Sequence, residues 1–418
     1  MMFSVTKLAP ALVGPSEQTP AGNLPLSSID LTPALRDVMV DSIHVFQHGV
    51  EPARVIREAL SRALVPYYPV AGRLLKCDDG DMVVACTGEG AWFVEATANF
   101  SLKDVNNLQR PLMIPKEEFL PVLPPDVSRE GVIFMLQVTQ FTCGGFSVGI
   151  ISSHAMFDGL GAAQFVNAIA DMARGLPRPT VEPIWCREDI PKFNPAKPPQ
   201  GPPPTLTDFD FEYSIADISL DSINQFKDRF MNETGQRCST FDIVAAMAWR
   251  ARTRAINLEP HVEVRFGFAA DTRHLFDQMI PHRKGYYGNA VYPVTVSAAS
   301  EKIVRSSLVE IVSLIREAKQ MLPSKFSKWT MGENEEDPYK VPFDYGTFII
   351  ADWNKVGFYE VDYGWGVPMH LVPFNDGNFI GSFIMLKPPA PKQGVRLMMR
   401  CVVKEHLAVF DDEITNLV

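Results

Sequence analysis

The segment His154-Ala155-Met156-Phe157-Asp158-Gly159 sets an imidazole four residues before a carboxylate, with glycines at 159 and 161. Four chemistries fit that pair. The first is general-base catalysis: histidine has an ordinary pKa of about 6.5, so its neutral ring can take a proton from a hydroxyl near neutral pH. The glycines behind it leave room for a ligand and for close backbone approach. The second is a metal site on one helix face, but zinc takes three or four ligands and no third lies nearby. The glycines also disfavour a helix through this stretch. The third is a nucleophile triad, which needs a Ser or Cys on a sharp elbow such as G-x-S-x-G, and the sequence has none. Ser153, adjacent to His154, points to the opposite face of a strand. The fourth is a satisfied core histidine, which H-x-x-x-D taken alone favours.

The flanking elements decide where the imidazole sits. Val132 to Phe141 reads as a strand, Cys143-Gly144-Gly145 as a turn, and Phe146 to Ser153 as a buried strand of apolar and small residues. His154 falls where that strand ends. A helix is expected from about Ala162 to Arg174, with Phe165, Val166, Ile169, Met172 and Ala173 inward, stopped by Gly175 and Pro177. Upstream, Pro52 to Leu64 carries a helical apolar stripe with proline in its first turn. A hairpin is expected across Cys77-Asp78-Asp79-Gly80. Ten of the 28 residues from Pro177 to Pro204 are proline, so this stretch reads as an extended linker. The expected division is therefore 1–176, a linker at 177–204, and 205–418.

In the second half, Ser239-Thr240-Phe241-Asp242 has capping-box form and opens a helix through Arg254. Val264 to Ala270 reads as a strand leading into Asp271-Thr272-Arg273. Ile303 to Leu322 reads as one helix, Gly332 to Pro338 as an acidic loop, and short strands are expected to the end. Mixed elements in both halves indicate an α/β protein.

Bulk properties narrow the function. The 418 residues carry a net charge of −10, with no basic stripe of the kind nucleic-acid binders show. An anionic ligand would need local positive charge. The six cysteines are scattered without a C-x-x-C pair, as for free thiols of a reducing compartment. No apolar run of about 18 residues exists, so no membrane helix is expected. The short apolar stretch Leu8–Val13, broken by Pro10, is no signal peptide, and the default location is the cytosol.

Four separated segments together resemble the plant BAHD acyltransferases. They are His154-Ala155-Met156-Phe157-Asp158-Gly159 (H-x-x-x-D-G), Asp362-Tyr363-Gly364-Trp365-Gly366 (D-F-G-W-G, with Tyr for Phe), Tyr286-Tyr287-Gly288-Asn289-Ala290 (Y-F-G-N-x) and Tyr67 to Leu74 (Y-P-x-A-G-R-L). They occur in family order across essentially the whole chain.

The resemblance implies a mixed α/β fold of two chloramphenicol-acetyltransferase-like domains with a channel between them, acting as a monomer. It implies acyl-CoA as co-substrate, an alcohol acceptor, no resident cofactor and no metal. His154 would deprotonate the acceptor hydroxyl, which attacks the thioester directly. Asp158 would be a structural orienter paired with Arg273. Ser239, Thr240, Gly288 and Asn289 fall where relatives contact coenzyme A, and Trp353 falls at a substrate pocket, although a core tryptophan explains it equally well. Asp362, Gly364, Trp365 and Gly366 would be structural, and Tyr363 a harmless replacement for Phe.

Further strings, among them Cys86 to Ala96 and Arg237 to Asp242, are most similar to hydroxycinnamoyl-CoA transferases, including p-coumaroyl-CoA:monolignol transferases, and next to taxane O-acetyltransferases. An N-acyltransferase and a non-catalytic accessory relative remain open alternatives. A cationic amine acceptor would want carboxylates such as Glu333, Glu335, Glu336 and Asp337, which a solvated loop also explains.

Overall fold

The structure is a computed structural model that describes residues 3–77, 82–190, 206–276, 283–333, 337–375 and 377–416. In chain order the strands of the first half are β1 (Val5–Lys7), β2 (Ala11–Val13), β3 (Gly22–Pro25), β4 (Met39–Phe46), β5 (Arg73–Lys76), β6 (Met82–Cys86), β7 (Ala91–Ala98), β8 (Phe134–Gln140) and β9 (Phe146–Ser153). The second half adds β10 (Phe211–Ser219), β11 (Glu263–Asp271), β12 (Val291–Ala299), β13 (Thr347–Asp352), β14 (His370–Phe374), β15 (Gly381–Leu386) and β16 (Gly394–Val403). The helices are α1 (Pro33–Arg36), α2 (Pro52–Ala63), α3 (Gly159–Ala173), α4 (Leu220–Thr234), α5 (Thr240–Ile256), α6 (Ser300–Arg305), α7 (Leu308–Gln320), α8 (Leu322–Thr330) and α9 (Lys404–Thr415).

These elements form two compact units, and the fold is the mixed α/β architecture expected. The first unit comprises Met1–Lys192, Phe276–Ala290 and Lys355–Asn375. Its main sheet runs β1-β7-β8-β9-β4-β14, with β2 also pairing with β7. Only β7 and β8 run parallel in it. A smaller sheet, β3-β6-β5, completes the unit. Its β5 and β6 pair antiparallel, as the expected hairpin requires, while Asp78–Gly80 lie outside the described residues. Every residue of β9 is buried, because β8 and β4 cover its edges and side chains cover both faces. Helix α2 packs on α3 through Ile56, Ala59, Leu60 and Ala63, the stripe read from the sequence. Arg62 ties the pair together by donating to the carbonyls of Met172 (3.1 Å), in the last turn of α3, and Leu176 (2.6 Å), just beyond it.

The second unit comprises Phe193–Leu275, Val291–Asn354 and Asp376–Val418. Its sheet runs β10-β16-β15-β13-β11-β12. The buried α5 packs against α7 and α9.

Four expectations need correction. Helix α3 begins at Gly159 rather than near Ala162, because Asp158 caps it. The single helix expected over Ile303–Leu322 is broken into α6 and α7: Ser307 and Glu310 form a capping box that starts a new helix. The chain ends in α9 rather than in strands, and α4 was not anticipated. The expected halves 1–176 and 205–418 are contiguous, whereas the units are not. Residues 276–290 and 355–375 return to the first unit, where β14 pairs antiparallel with β4.

Residues 177–190 of the expected linker also belong to the first unit, and Ile184 bridges to Tyr286 there. The remaining linker residues, 191–204, lie outside the described residues, as do Glu335 and Glu336 of the acidic loop.

All six cysteines are free thiols. Among the described residues no helix is long and apolar enough to cross a membrane.

Candidate active site

Strand β9 ends at Ser153, and His154 begins a turn whose backbone amide donates to the carbonyl of Val38 at 2.8 Å. From Ile151 to Asp158, His154 is the one residue that is not buried. His154 thus follows a fully buried strand yet is itself only half-buried. This argues against the core-histidine reading.

The loop after His154 is held from both ends. Asp158 Oδ1 accepts from the Gly161 amide at 2.9 Å, which caps α3, while Oδ2 accepts from the Ala290 amide at 3.0 Å. The carboxylate is buried. Gly161 permits a close backbone crossing: a Cβ there would sit 2.0 Å from the Tyr287 carbonyl oxygen.

Asn289 supplies the third anchor. Its side-chain NH2 donates to Asp30 Oδ1 at 2.7 Å and to the His154 carbonyl at 2.7 Å. With both hydrogens used, its Oδ1 faces the ring and lies 3.1 Å from His154 Nδ1. An amide oxygen only accepts, so Nδ1 carries the proton and the lone pair resides on Nε2. The Tyr-Tyr-Gly-Asn-Ala segment therefore docks onto the His-x-x-x-Asp-Gly segment at three points: Tyr287 against Gly161, Asn289 on His154, and Ala290 on Asp158.

Beneath this contact lies a buried ion pair. Asp30 also accepts from Ser27 N (2.8 Å), Ser27 Oγ (2.7 Å), Asn289 N (3.1 Å) and Arg187 (2.7 Å). The guanidinium of Arg187 donates to the Met156 carbonyl at 2.6 Å and stacks over Trp185 at 4.3 Å. Burial disfavours its charge, but Asp30, with Tyr286 and Tyr287, more than restores it, leaving the group above the ordinary arginine value. Sequence reading missed both residues. Arg187 sits in a proline-rich stretch beside Glu188 and Asp189, and looks like one more solvated charge.

The other expected site residues are placed as follows. Asn289, expected among the coenzyme A contacts, is fully buried and committed to Asp30 and His154. Gly288 lies against the Tyr286 ring and the Arg187 guanidinium.

In the second unit, Ser239 and Asp242 make the capping box of α5, with Oγ accepting from Asp242 N at 3.1 Å and Asp242 Oδ2 accepting from Ser239 N at 2.8 Å. Thr240 opens the helix. Arg273 donates to Asp271 from its guanidinium at 3.0 Å and its amide at 3.1 Å. Trp353 follows β13 and is half-buried.

Asp362 Oδ1 accepts from the amides of Gly364 and Gly366, both at 2.8 Å, and its carbonyl accepts from Arg174 at 2.6 Å. Trp365 meets Phe146 edge-on at 5.6 Å, and Tyr363 packs 5.3 Å from Phe46. Burial pushes the Tyr363 phenol well up, and its hydroxyl has no hydrogen-bond partner among the described residues. Among the described residues no group of three or more His, Cys, Asp and Glu side chains is placed to hold a metal.

A histidine at a strand end, a carboxylate that caps a helix, and a second motif docked onto the first are brought together in the first unit. The Transferase family profile matches residues 3–417, and the chain belongs to that family, the BAHD acyltransferases. It is an acyltransferase that uses acyl-CoA as co-substrate.

Two relatives span it from end to end. Myricetin 3-O-glucosyl 1,2-rhamnoside 6'-O-caffeoyltransferase of Crocosmia x crocosmiiflora is 48% identical, covering 100% of both chains. Acyl transferase 4 of Oryza sativa subsp. japonica is 46% identical, covering 99% of both. The crystal structure of vinorine synthase shares the fold at 19% identity, with a TM-score of 0.75 over 99% of this chain and 98% of that one.

Proposed function

We propose that the protein transfers a hydroxycinnamoyl group from coenzyme A to an alcohol, with His154 as general base. The observation that carries this reading is the arrangement at the ring: Nδ1 is committed to Asn289, and His154 alone keeps solvent access within a buried run. Nε2 takes the proton of the acceptor hydroxyl as its oxygen attacks the thioester carbonyl carbon. The tetrahedral intermediate collapses with cleavage of the C–S bond, and the protonated ring returns its proton to the departing thiolate. No acyl-enzyme is needed, in keeping with the missing nucleophile elbow. Asp158 holds the loop and takes no part in the proton transfer, because both of its oxygens already accept backbone amides.

The caffeoyl donor named for the Crocosmia relative supports the hydroxycinnamoyl class. Its acceptor is a sugar hydroxyl of a flavonol glycoside by that same name, which favours a second acceptor class beside monolignols.

The test is a competition assay. The protein is given p-coumaroyl-, caffeoyl-, benzoyl- and acetyl-CoA together with coniferyl alcohol, sinapyl alcohol, a flavonol glycoside and a polyamine, and products are read by mass spectrometry. Hydroxycinnamoyl esters are expected, with loss of about 10²–10⁴-fold in folded His154→Ala. Full activity in that variant would sink the base assignment, and amide products would overturn the alcohol acceptor.

A further inference from the structure

We infer that Asp30 is a positioning residue of the reaction: through Asn289 it fixes which nitrogen of His154 carries the proton. This inference rests on the reading of His154 as general base. A histidine ring has two neutral tautomers, and only the one protonated at Nδ1 presents a basic Nε2 to a substrate. Something must choose. The choice depends on which end of the Asn289 amide faces the ring, and an amide rotated by half a turn would present its NH2 instead. It would then donate to Nδ1 and move the proton to Nε2, leaving no base.

Asp30 prevents that rotation. Its Oδ1 accepts both from the backbone amide of Asn289 at 3.1 Å and from its side-chain NH2 at 2.7 Å. A carboxylate cannot donate, so the NH2 end must point at Asp30 and the oxygen must point at the ring. The second amide hydrogen reaches the His154 carbonyl at 2.7 Å, which registers the amide against the same residue it orients.

Asp30 is itself immobile. It is fully buried, its other oxygen accepts from Ser27 N and Oγ, and Arg187 donates to that oxygen at 2.7 Å. The same guanidinium holds the Met156 carbonyl, two residues past the base. One buried cation therefore secures both the carboxylate that sets the tautomer and the turn that carries the ring. This suits a network whose function is orientation, since a carboxylate meant to stabilise the fold alone would not need to be aimed at an amide beneath the imidazole.

Two measurements test the inference on the full-length protein. The eight histidines are labelled with nitrogen-15, and the His154 signals are identified by their loss in His154→Ala. Proton–nitrogen coupling patterns distinguish the two neutral tautomers. The wild type is expected to show Nδ1–H at high pH, and an Nε2–H ring there overturns the inference whatever the activity.

In the second measurement, Asp30→Asn is expected to mix the tautomers and lower kcat by about 10–100-fold while leaving KM for acyl-CoA as it is. A folded Asp30→Asn protein with wild-type kcat, or with its ring still held as Nδ1–H, also overturns it. Asp30→Asn strands the Arg187 charge. Should it fail to fold, Asn289→Ala cuts the link to the ring while keeping Ser27, Arg187 and the residue-289 amide on Asp30. The same mixing and the same selective loss of kcat are expected there, and wild-type kcat in that variant counts against the inference. Wild-type turnover by His154→Ala would refute the base reading and leave the tautomer result standing, so the two failures are distinguishable.

Discussion

Replacing Asp158 by alanine removes two acceptors at one stroke. One Oδ caps α3 through Gly161 N at 2.9 Å, and the other receives Ala290 N at 3.0 Å, both buried. Loss of an N-cap costs about 1 kcal/mol, and stranding a buried amide about 1–3 kcal/mol more, so the change is worth at least roughly 2–4 kcal/mol. For a unit of this size that is a fall in Tm of roughly 4–16 °C. Asn caps a helix as well as Asp does, so Asp158→Asn keeps the Gly161 bond through its single oxygen but turns its NH2, a donor, towards the Ala290 amide, which loses its acceptor. Its loss should be smaller by the cap, about 1–3 kcal/mol.

Thermal melts of both variants, followed by near-ultraviolet circular dichroism, measure the series. Activity per folded molecule is measured beside them. Both variants should keep the pH profile of the wild type, since Asp158 carries no proton in the reaction. Folded His154→Ala should show the converse, a wild-type melt with lost turnover. The reasoning is refuted if Asp158→Ala melts like the wild type, or if Asp158→Asn shifts the pH dependence of kcat.

Three other outcomes follow from the geometry. Gly161→Ala should cost about 3 kcal/mol or more, because its Cβ would lie 2.0 Å from a backbone oxygen of Tyr287. Gly159→Ala, which meets only the Val356 side chain at 3.3 Å, should stay within about 1 kcal/mol of wild type in the same melt. Tyr363→Phe removes a buried hydroxyl that has no partner among the described residues, so denaturant unfolding should show equal or greater stability, by up to about 1–2 kcal/mol.

His44 is fully buried, and burial lowers its pKa from 6.5 to about 3. The unfolded chain therefore binds a proton that the folded chain refuses. Stability should fall as pH drops through the window from 6.5 to about 3, by up to about 1.4 kcal/mol per unit, and His44→Gln should flatten that slope in acid unfolding curves.

Local features of the fold were legible in the sequence because their causes are local. Strand β9 was read at its observed bounds from a run of apolar and small residues, α2 from its stripe, and the start of α5 from Ser239 and Asp242. The break between α6 and α7 is equally local: Ser307 and Glu310 carry the same capping signal inside an apolar period that reads as continuous.

What the sequence could not show was partnership across distance. Asp30 and Asn289 are separated by 259 positions, and Asp30 and Arg187 by 157. No spacing rule links such residues. Asn289 is visible as a motif residue, but the resemblance places it among the coenzyme A contacts rather than on the imidazole. Its burial and its bond to the ring appear only once the 276–290 segment is seen to rejoin the first unit.

That rejoining has a consequence for synthesis. The Asn289 amide that meets the His154 ring lies 135 positions beyond it, and β14, which pairs with β4, is further still. At about 5–20 residues per second, the ribosome delivers Asn289 roughly 7–27 s after His154. Until then the His154 ring lacks its Asn289 contact, and the β4 edge waits longer still for β14. The proline-rich stretch therefore does not mark a place where the gene can be cut to give a self-sufficient catalytic half.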